Sequence, residues 1–539
     1  MDVGDKLSEI YVKNLDKTVP FEEGESLLAV LVAGGVFVDN PCNGKGTCGK
    51  CRIKVLEGEI EEADENEKKL LKKDDPDRHI RLACMVDPID GMVVETLHKE
   101  RKHQFTTSGW MPDFEIDRRE SGYGLSVDIG TTTVAVGLVD LTSGEQIDEA
   151  SMINPQKIYG LDVLTRISYE YEHGEDGIRD LQESIVSGLN AMIDELVFET
   201  EIDKDDIAEI CIAANCTMTH LLLGVDARPM GKYPYVPEVK DAVYIEARRV
   251  GLDVGEDTML YCLPQVSAFI GADIVAGAYV CNMEKETGNT LFIDIGTNGE
   301  IVLAKDGELL CCSCAAGPAL EGMNISSGMR AAEGAIEDVV ISEDGIELKV
   351  IGDAEPVGLC GSGILAIVKE LLRHKIVTSR GGFIKKDSLD EEDYRYDYIK
   401  LNGRKREFIL NEDPEILVTQ SDVRQVQLAK GAILSGFVAL LNKAGLEMKD
   451  LDKVLIAGQF GAHLPEASLI GVGILPRDVE NKLVYVGNSS KTGAYMCLMS
   501  ERVRREIEHL AKKMHYVELA VTDDYEKIFR DSMLFPTFE

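Results

Sequence analysis

Hydrophobic and polar residues alternate along three short segments of the first hundred residues. Such alternation, rich in β-branched residues, predicts strands with one buried face. One short helix is also predicted, because Leu27, Leu28 and Leu31 recur on one face before Gly34 and Gly35 end the pattern. These elements predict a small, strand-rich domain over residues 1–98. Its strand segments are SEIYVKNL from Ser8, CRIKVLEGEI from Cys51 and MVVETL from Met92.

From Gly122 onward the pattern repeats in outline. The stretches GLSVDIGTTTVAVGLVD and TLFIDIGTNGEIVLAKDG each read as an apolar strand, an Asp-Ile-Gly-Thr turn and a second strand. Asp128 heads the first turn and Asp294 heads the second. The repeat predicts two related lobes, over residues 122–285 and 286–539.

A long amphipathic helix is predicted over residues 423–444, and Gly445 ends it. Its apolar face indicates packing, which we expect to lie between the two lobes. The residues of that face are Val426, Ala429, Ile433, Phe437 and Leu440.

Residues 99–121 have no steady period and contain the single tryptophan, Trp110. We expect a linker between the small domain and the lobes. It would act either as a swinging tether or as a belt that Trp110 packs onto the next domain.

Composition narrows the class of protein. The chain has 539 residues, too many for one core, and a net charge of −39 that opposes binding to nucleic acid. The sequence contains no apolar run of membrane-spanning length, and MDVGDKLSEI does not read as a signal peptide. We therefore expect a cytoplasmic protein with no nucleic-acid or membrane partner.

Four cysteines near the N-terminus form the first candidate functional site. Cys42, Cys48, Cys51 and Cys84 are spaced C-x5-C-x2-C-x32-C, one residue longer in the first gap than the plant-type 2Fe-2S loop. Gly44, Gly46 and Gly49 between them would supply the positive φ angles that a tight loop needs. Zinc is the alternative, but structural zinc sites usually take their ligands as two short pairs. The spacing therefore favours a 2Fe-2S cluster.

The two Asp-Ile-Gly-Thr turns form the second candidate functional site. A buried strand that ends this way places a carboxylate beside a tight hairpin of N–H groups and hydroxyls. That combination suits a magnesium-bound phosphate.

Two later glycine motifs extend this interpretation. GLCGSGILAIV at 358–368 and VLIAGQFGAHL at 454–464, together with the two turns, resemble the phosphate and adenosine motifs of the acetate kinase, sugar kinase, Hsp70 and actin superfamily. The resemblance implies a two-lobed, actin-like (ribonuclease H-like) ATPase that binds ATP and Mg. It implies water-mediated Mg binding by Asp128, phosphate contacts from Gly130, Thr131, Thr132, Thr133, Asp294, Gly296, Thr297, Asn298 and Gly299, and nucleotide turns at Gly361, Ser362, Gly363, Gly458, Gln459, Phe460 and Gly461.

Four further segments resemble the reductive activators of corrinoid proteins. They are NPQKIYGLDVLTRI at 154–167, NCTMTHLLLGVD at 215–226, AAGPALEGMNISSGMRAAEGAI at 315–336 and GNSSKTGA at 487–494. This resemblance implies an α/β multidomain chain: a β-grasp ferredoxin domain, a linker and the ATPase lobes. It also implies ATP-dependent delivery of one electron from the cluster, reducing Co(II) to Co(I) in the corrinoid protein of a methyltransferase system. A low-potential electron donor and a homodimer are further implications.

Two other functions remain open from the residues alone. The chain would be a small-molecule kinase if a general base faced the cleft, although no Asp or Glu motif for one is evident. It would activate a dehydratase or reductase if the lobes held a second cluster at Cys311, Cys312 and Cys314, although LLCCSCAAGP reads as a buried strand.

Overall fold

The strands of the first hundred residues form one mixed sheet around a small core. The computed structural model describes residues 8–21, 24–34, 36, 38, 44, 46, 49, 51–58, 60, 62–71, 79–97, 109–403, 405–412, 415–458 and 464–538. The chain divides into two compact units, 1–101 with 155–177 and 102–154 with 178–539.

In the first unit the described strands pair in the order β2-β1-β5-β3-β4. Leu27, Leu28 and Leu31 are buried against this sheet, and the helix that carries them ends at Gly34, as predicted. The elements of this unit are β1 Ser8–Val12, β2 Lys17–Phe21, α1 Leu27–Ala33, β3 Arg52–Glu57, α2 Glu65–Leu70, β4 Ile80–Leu82, β5 Val93–Thr96 and α3 Val163–His173.

The second unit contains two sheets with the same internal order. In the first sheet β6 pairs antiparallel with β7 and parallel with β9, and β12 pairs in the same way with β13 and β21 in the second. The predicted repeat is therefore confirmed at the level of strand pairing. The first sheet and its helices comprise β6 Tyr123–Ile129, β7 Thr133–Asp140, β8 Gln146–Ile153, α4 Glu175–Thr200, β9 Ile207–Ala214, α5 Cys216–Leu223, β10 Val243–Glu246, β11 Met259–Cys262 and α6 Ala272–Val280.

The second lobe adds two small three-stranded sheets and six helices among its described residues. Its central sheet runs β22-β21-β12-β13-β14-β23. The elements are β12 Thr290–Ile295, β13 Gly299–Lys305, β14 Glu308–Cys314, β15 Ala335–Ser342, β16 Gly345–Val350, β17 Gly358–Leu359, α7 Gly361–Arg373, β18 Ile399–Asn402, β19 Lys405–Glu412, β20 Glu415–Thr419, α8 Gln420–Ala444, β21 Lys453–Ala457, α9 Glu466–Val472, β22 Leu483–Gly487, α10 Ser489–Met499, α11 Glu501–Lys513, β23 Met514–Tyr516 and α12 Tyr525–Ser532.

Helices α6 and α10 pack between the two large sheets. An added Cβ at Gly493 of α10 would lie 2.5 Å from the Cβ of Ala276 in α6, so the two helices touch almost at the backbone. Gly277 approaches Phe292 of the second sheet, and Gly124 of the first sheet approaches Leu498 of α10. This apolar layer joins the lobes.

The long helix α8 forms as predicted and ends at Gly445, whose φ is 67°. Its start is three residues earlier than predicted, because Thr419 and Asp422 form a capping box. The predicted position between the lobes is wrong. Phe437 and the other apolar residues of α8 pack within the core formed by the second lobe alone.

Residues 109–121 follow the surface of the second unit as a belt. Trp110 N donates to Val486 O at 2.9 Å, Asp117 N to Met499 O at 2.8 Å and Arg119 N to Leu141 O at 2.9 Å. Trp110 itself is 49 % exposed, so backbone hydrogen bonds, rather than its ring, hold the belt. Residues 99–108 lie outside the described residues.

No helix in the described part of the chain combines the length and the hydropathy required to cross a membrane.

A buried carboxylate fixes the belt and α11 to the first lobe. Glu209 of β9 is 1 % exposed and accepts from Arg504 of α11 at 2.7 Å and from Arg119 of the belt. Because Arg119 remains as a partner, we expect Arg504→Met to lower the free energy of unfolding by about 2 kcal/mol in urea titrations. Arg505→Met removes an exposed pair with Glu501 and serves as the control, with a change below about 0.5 kcal/mol. Equal effects of the two substitutions would contradict this role.

Candidate functional site

Two tight hairpins stand at the carboxyl ends of β6 and β12. Gly130 N donates to Thr133 O at 2.9 Å, and Gly296 N donates to Asn298 O at 2.9 Å, so each turn closes on itself. Asp128 and Asp294 occupy matching positions, one residue before the end of each strand. The repeated sequence thus produces a repeated local structure.

The hairpins face each other across a cleft with a cavity volume of about 120 Å³. The cleft brings together most of the predicted nucleotide residues of the first two motifs and Gly458. Residues on its wall are Asp128, Gly130, Thr131, Thr132, Thr133, Asn215, Asp273, Asp294, Ile295, Gly296, Thr297, Asn298, Glu300, Gly458, Asn488 and Ser490.

Four of the described predicted residues are not on the wall of the cleft. Gly299 begins β13 and is buried against Ile433, and Gly361, Ser362 and Gly363 begin α7, away from the described wall of the cleft. Gln459, Phe460 and Gly461 lie outside the described residues. Gly458 has a φ of 92°, and an added Cβ would lie 2.6 Å from Asp294 Oδ1. Only glycine allows this approach of β21 to the carboxylate.

Four polar wall residues lie outside the two hairpins and the turn at Gly458: Asn215, Asp273, Asn488 and Ser490. Three helices begin at the cleft, with Asn215 as the N-cap of α5, Asn488 as the N-cap of α10 and Asp273 in the first turn of α6. Helix N-termini favour anions, because their first N–H groups have no partner within the helix. Asn215 and Asn488 belong to segments quoted for the family resemblance, whereas the sequence around Asp273 gives no such signal.

Asp128 is held by the far end of the chain. Asn488 Nδ2 donates to its Oδ2 at 2.9 Å, and Ser490 Oγ donates to its Oδ1 at 2.7 Å. Burial raises the pKa of Asp128, and these two hydrogen bonds and the charge of Lys491 partly oppose that rise. The carboxylate is therefore fixed in orientation between the lobes.

Acidic side chains crowd the cleft. Burial, followed by repulsion from Asp128, raises the pKa of Asp294 to about 7. Burial, followed by repulsion from Asp294, raises the pKa of Asp273 to about 8. Burial, followed by repulsion from Asp273 and Asp294, raises the pKa of Glu300 well above its usual range. Without a counter-charge, these groups resist full ionisation at neutral pH.

One hydroxyl in the cleft has no partner. Thr133 is 4 % exposed, and its Oγ1 makes no hydrogen bond in the described structure. A buried hydroxyl without a partner costs about 1–3 kcal/mol, and a ligand that accepted a hydrogen bond from it would recover part of that cost. This orphan, the turn N–H groups and the helix N-termini fit a phosphate group.

The cluster loop can be assessed at two of its four cysteines, since Cys42 and Cys48 lie outside the described residues. Cys51 precedes β3 and Cys84 follows β4, and the pairing of these strands brings their Sγ atoms to 3.3 Å. That separation suits two thiolates on one iron and is far longer than a disulfide bond.

The glycines of this loop have the predicted conformation. The φ angles of Gly44, Gly46 and Gly49 are 76°, 64° and 65°. At Gly49 an added Cβ would lie 2.8 Å from Leu70 O, so the loop passes close to α2 at this point. The two described cysteines and the loop conformation fit the 2Fe-2S group.

A second cluster in the lobes is not supported. Cys311, Cys312 and Cys314 are buried in β14, and alternation along the strand directs Cys311 into one core and the other two into another. Within the described ranges, no group of three or more His, Cys, Asp or Glu side chains is arranged to hold a metal ion.

Comparison with known proteins agrees with this architecture. Residues 10–88 match the 2Fe-2S iron-sulfur cluster binding domain, 123–286 the RACo middle region and 288–539 the C-terminal domain of RACo, the ASKHA domain. The class of protein is therefore a ferredoxin-type domain joined to an actin-like ATPase. Within that class, the chain belongs to the RACo family of reductive activators of corrinoid proteins.

Individual relatives and one solved structure support the assignment. The corrinoid activation enzyme RamQ of Eubacterium limosum is 32 % identical over 81 % of this chain and 74 % of its own length. The [Co(II) methylated amine-specific corrinoid protein] reductase of Methanosarcina barkeri is 25 % identical over 76 % of each chain. The structure of a reductive activator for corrinoid,iron-sulfur protein superposes with a TM-score of 0.69, at 28 % identity and 99 % coverage of both chains.

The cysteine assignment predicts a selective loss of iron. We expect Cys84→Ser to lose most of the bound iron and visible absorbance of the anaerobically purified protein, because one of four thiolates is removed. Cys262→Ser, at a buried cysteine of β11, is the matched control and should keep both. Retention of a full cluster by the Cys84 variant would exclude this residue as a ligand.

The raised pKa of Asp294 predicts a pH-dependent stability. Since the folded state holds the proton up to about pH 7 and the unfolded chain releases it near pH 4, folding of the nucleotide-free protein loses stability as pH rises across that window. Asp294→Asn removes this cost. We expect its stability relative to the unsubstituted protein to increase by about 1–2 kcal/mol between pH 5 and pH 8 in urea titrations. Asp241→Asn, at an exposed carboxylate, is the control, and a flat difference for Asp294→Asn would refute the burial argument.

Proposed function

We propose that the chain uses ATP to drive one electron from its 2Fe-2S cluster to the Co(II) corrinoid of a partner protein, which restores Co(I). The chain is a corrinoid-activating reductase by family. The observation that carries the proposal is the convergence of two phosphate-type hairpins on one cleft, in a chain that also pairs Cys51 and Cys84.

The cleft supplies a set of groups for the phosphates of ATP. Thr133 contributes its unpartnered hydroxyl, and Gly130 and Gly296 hold the turns whose backbone approaches the ligand. The N-terminus of α10 adds a positive dipole end beside Asp128. Gly458 lets the end of β21 approach Asp294 and itself lines the cleft.

Magnesium is the cation that we propose for this site. Asp128 and Asp294 offer carboxylates on opposite walls, and Mg²⁺ is usually bound through one or two carboxylates, several waters and substrate phosphates. The lack of a complete metal cage among the described residues agrees with that mode. A bound cation would also oppose the effects of burial and of the Asp128 charge, which raise the pKa of Asp294.

ATP is needed for an energetic reason. A 2Fe-2S cluster supplies single electrons, but reducing Co(II) to Co(I) requires a lower potential than such a cluster readily provides. Each 59 mV of a one-electron gap corresponds to about 1.4 kcal/mol. Differential binding of the partner in the nucleotide-bound state would offset that gap.

Assembly, electron supply and location complete the proposal. The family resemblance supports a homodimer, a low-potential electron donor and a cytoplasmic setting. We also propose the domain limits 1–98, 122–285 and 286–539, with the linker 99–121. The matched family ranges support these limits to within about ten residues at each boundary.

The unpartnered hydroxyl of Thr133 predicts a substitution that weakens ATP binding without lowering the stability of the fold. Because Thr133 Oγ1 has no partner in the nucleotide-free state, Thr133→Val should leave stability unchanged or raised, yet weaken ATP binding about tenfold. The reduced full-length protein, mixed anaerobically with Mg-ATP and a Co(II) corrinoid protein, should form Co(I), seen by its absorbance. The variant should form Co(I) more slowly at limiting ATP.

Thr290→Val is the control, since Thr290 lies at the opposite end of β12 from the cleft. It should match the unsubstituted protein in both assays. Equal ATP affinity in the Thr133 variant would remove this residue from the site. Absence of Co(I) with every corrinoid protein tried, together with phosphate transfer to a small metabolite, would replace the proposed function with a kinase.

A further inference from the structure

One buried carboxylate connects the two hairpins. Thr132 Oγ1 donates to Glu321 Oε2 at 2.9 Å, and Thr297 Oγ1 donates to Glu321 Oε1. Thr132 belongs to the hairpin of the first lobe and Thr297 to that of the second. Glu321 is 2 % exposed, and both of its threonine partners lie on the wall of the cleft.

The direction of these hydrogen bonds decides what the two hydroxyls can offer a ligand. A threonine hydroxyl has one hydrogen and two acceptor lone pairs, and an ionised carboxylate only accepts. Thr132 and Thr297 therefore each donate their one hydroxyl hydrogen to Glu321. Only the lone pairs of these two oxygens remain for a ligand in the cleft. Thr133, whose hydroxyl has no partner, keeps its hydrogen for a phosphate oxygen.

We propose that Thr132 and Thr297 bind a divalent cation directly, through their hydroxyl oxygens, and that Glu321 is the positioning residue that turns those oxygens toward it. This inference adds metal ligands to the proposed nucleotide site. It rests on the proposed function only in assuming that the bound cation accompanies the phosphates of ATP. It changes the role expected from sequence, in which both threonines face phosphate.

The distances agree with this role. The two hydroxyl oxygens are 3.4 Å apart. Adjacent ligands of an octahedral Mg²⁺ or Mn²⁺ are about 3.0 Å apart, given metal–oxygen distances of about 2.1 Å. A small movement would thus let one ion bind both hydroxyls, with Asp128 and Asp294 lining the same cleft to balance its charge.

The segment that carries Glu321 is firmly held. Glu321 ends the short 3-10 turn Pro318–Glu321, and Gly361 at the start of α7 packs directly on it. An added Cβ at Gly361 would lie 1.9 Å from Leu320 O. The glycine predicted to approach the nucleotide therefore supports the residue before Glu321.

The test is a titration of the full-length protein with Mn²⁺ alone, in which the electron paramagnetic resonance signal of the free ion measures how much Mn²⁺ remains unbound. Glu321→Gln should weaken Mn²⁺ binding about tenfold, because the amide donates to one hydroxyl and turns its hydrogen toward the ion. Thr132→Val and Thr297→Val should weaken binding to a similar degree. Thr132→Ser and Thr297→Ser keep the hydroxyl and should bind within about twofold of the unsubstituted protein.

Thr290→Val is the control for metal affinity and should show no change. A parallel titration with ATP in EDTA reports on the nucleotide site separately, so its failure would count against the proposed function and leave the metal result to stand alone. If Glu321→Gln proved unstable, the valine and serine pairs would still decide. Equal Mn²⁺ affinity across the valine variants, or no Mn²⁺ binding by the unsubstituted protein, would overturn the proposal.

Discussion

The second unit depends on one constraint: two buried strands from separate lobes must each deliver a carboxylate to the same cleft. Burial and the like charge of Asp128 both oppose ionisation of Asp294, and together they raise its pKa. Hydrogen bonds from Asn488 and Ser490, which lie 360 and 362 residues later in the chain, stabilise the carboxylate of Asp128. The lobes are thus linked at the point where a ligand would bind.

The apolar layer of α6 and α10 makes that link rigid. Gly493 lets the two helices meet at close range, and both begin at the cleft, so packing and chemistry share the same elements. Because the N-termini of these helices favour anions, the layer that joins the lobes also prepares a phosphate site.

The hydrogen bonds that each threonine already makes indicate which ligand it can bind. Thr133 retains a donor, while Thr132 and Thr297 have given theirs to Glu321. Donors suit phosphate oxygens and acceptors suit a cation, so one pair of similar hairpins can serve both halves of a metal–nucleotide complex. In the first unit, the loop glycines and the pairing of β3 with β4 perform a comparable task for two cysteines.

Local patterns in the sequence determined the cysteine loop with its positive-φ glycines, the two Asp-Ile-Gly-Thr hairpins and the helix that ends at Gly445. Each of these depends on residues close together in the chain, where spacing and side-chain size decide the conformation. Only the tertiary structure decided that Asp273 and Asn488 join the cleft, that Glu321 binds a threonine from each hairpin, and that α8 packs inside the second lobe. Those contacts join residues far apart in sequence, and the stacking of sheets and helices that creates them leaves no trace in local periodicity.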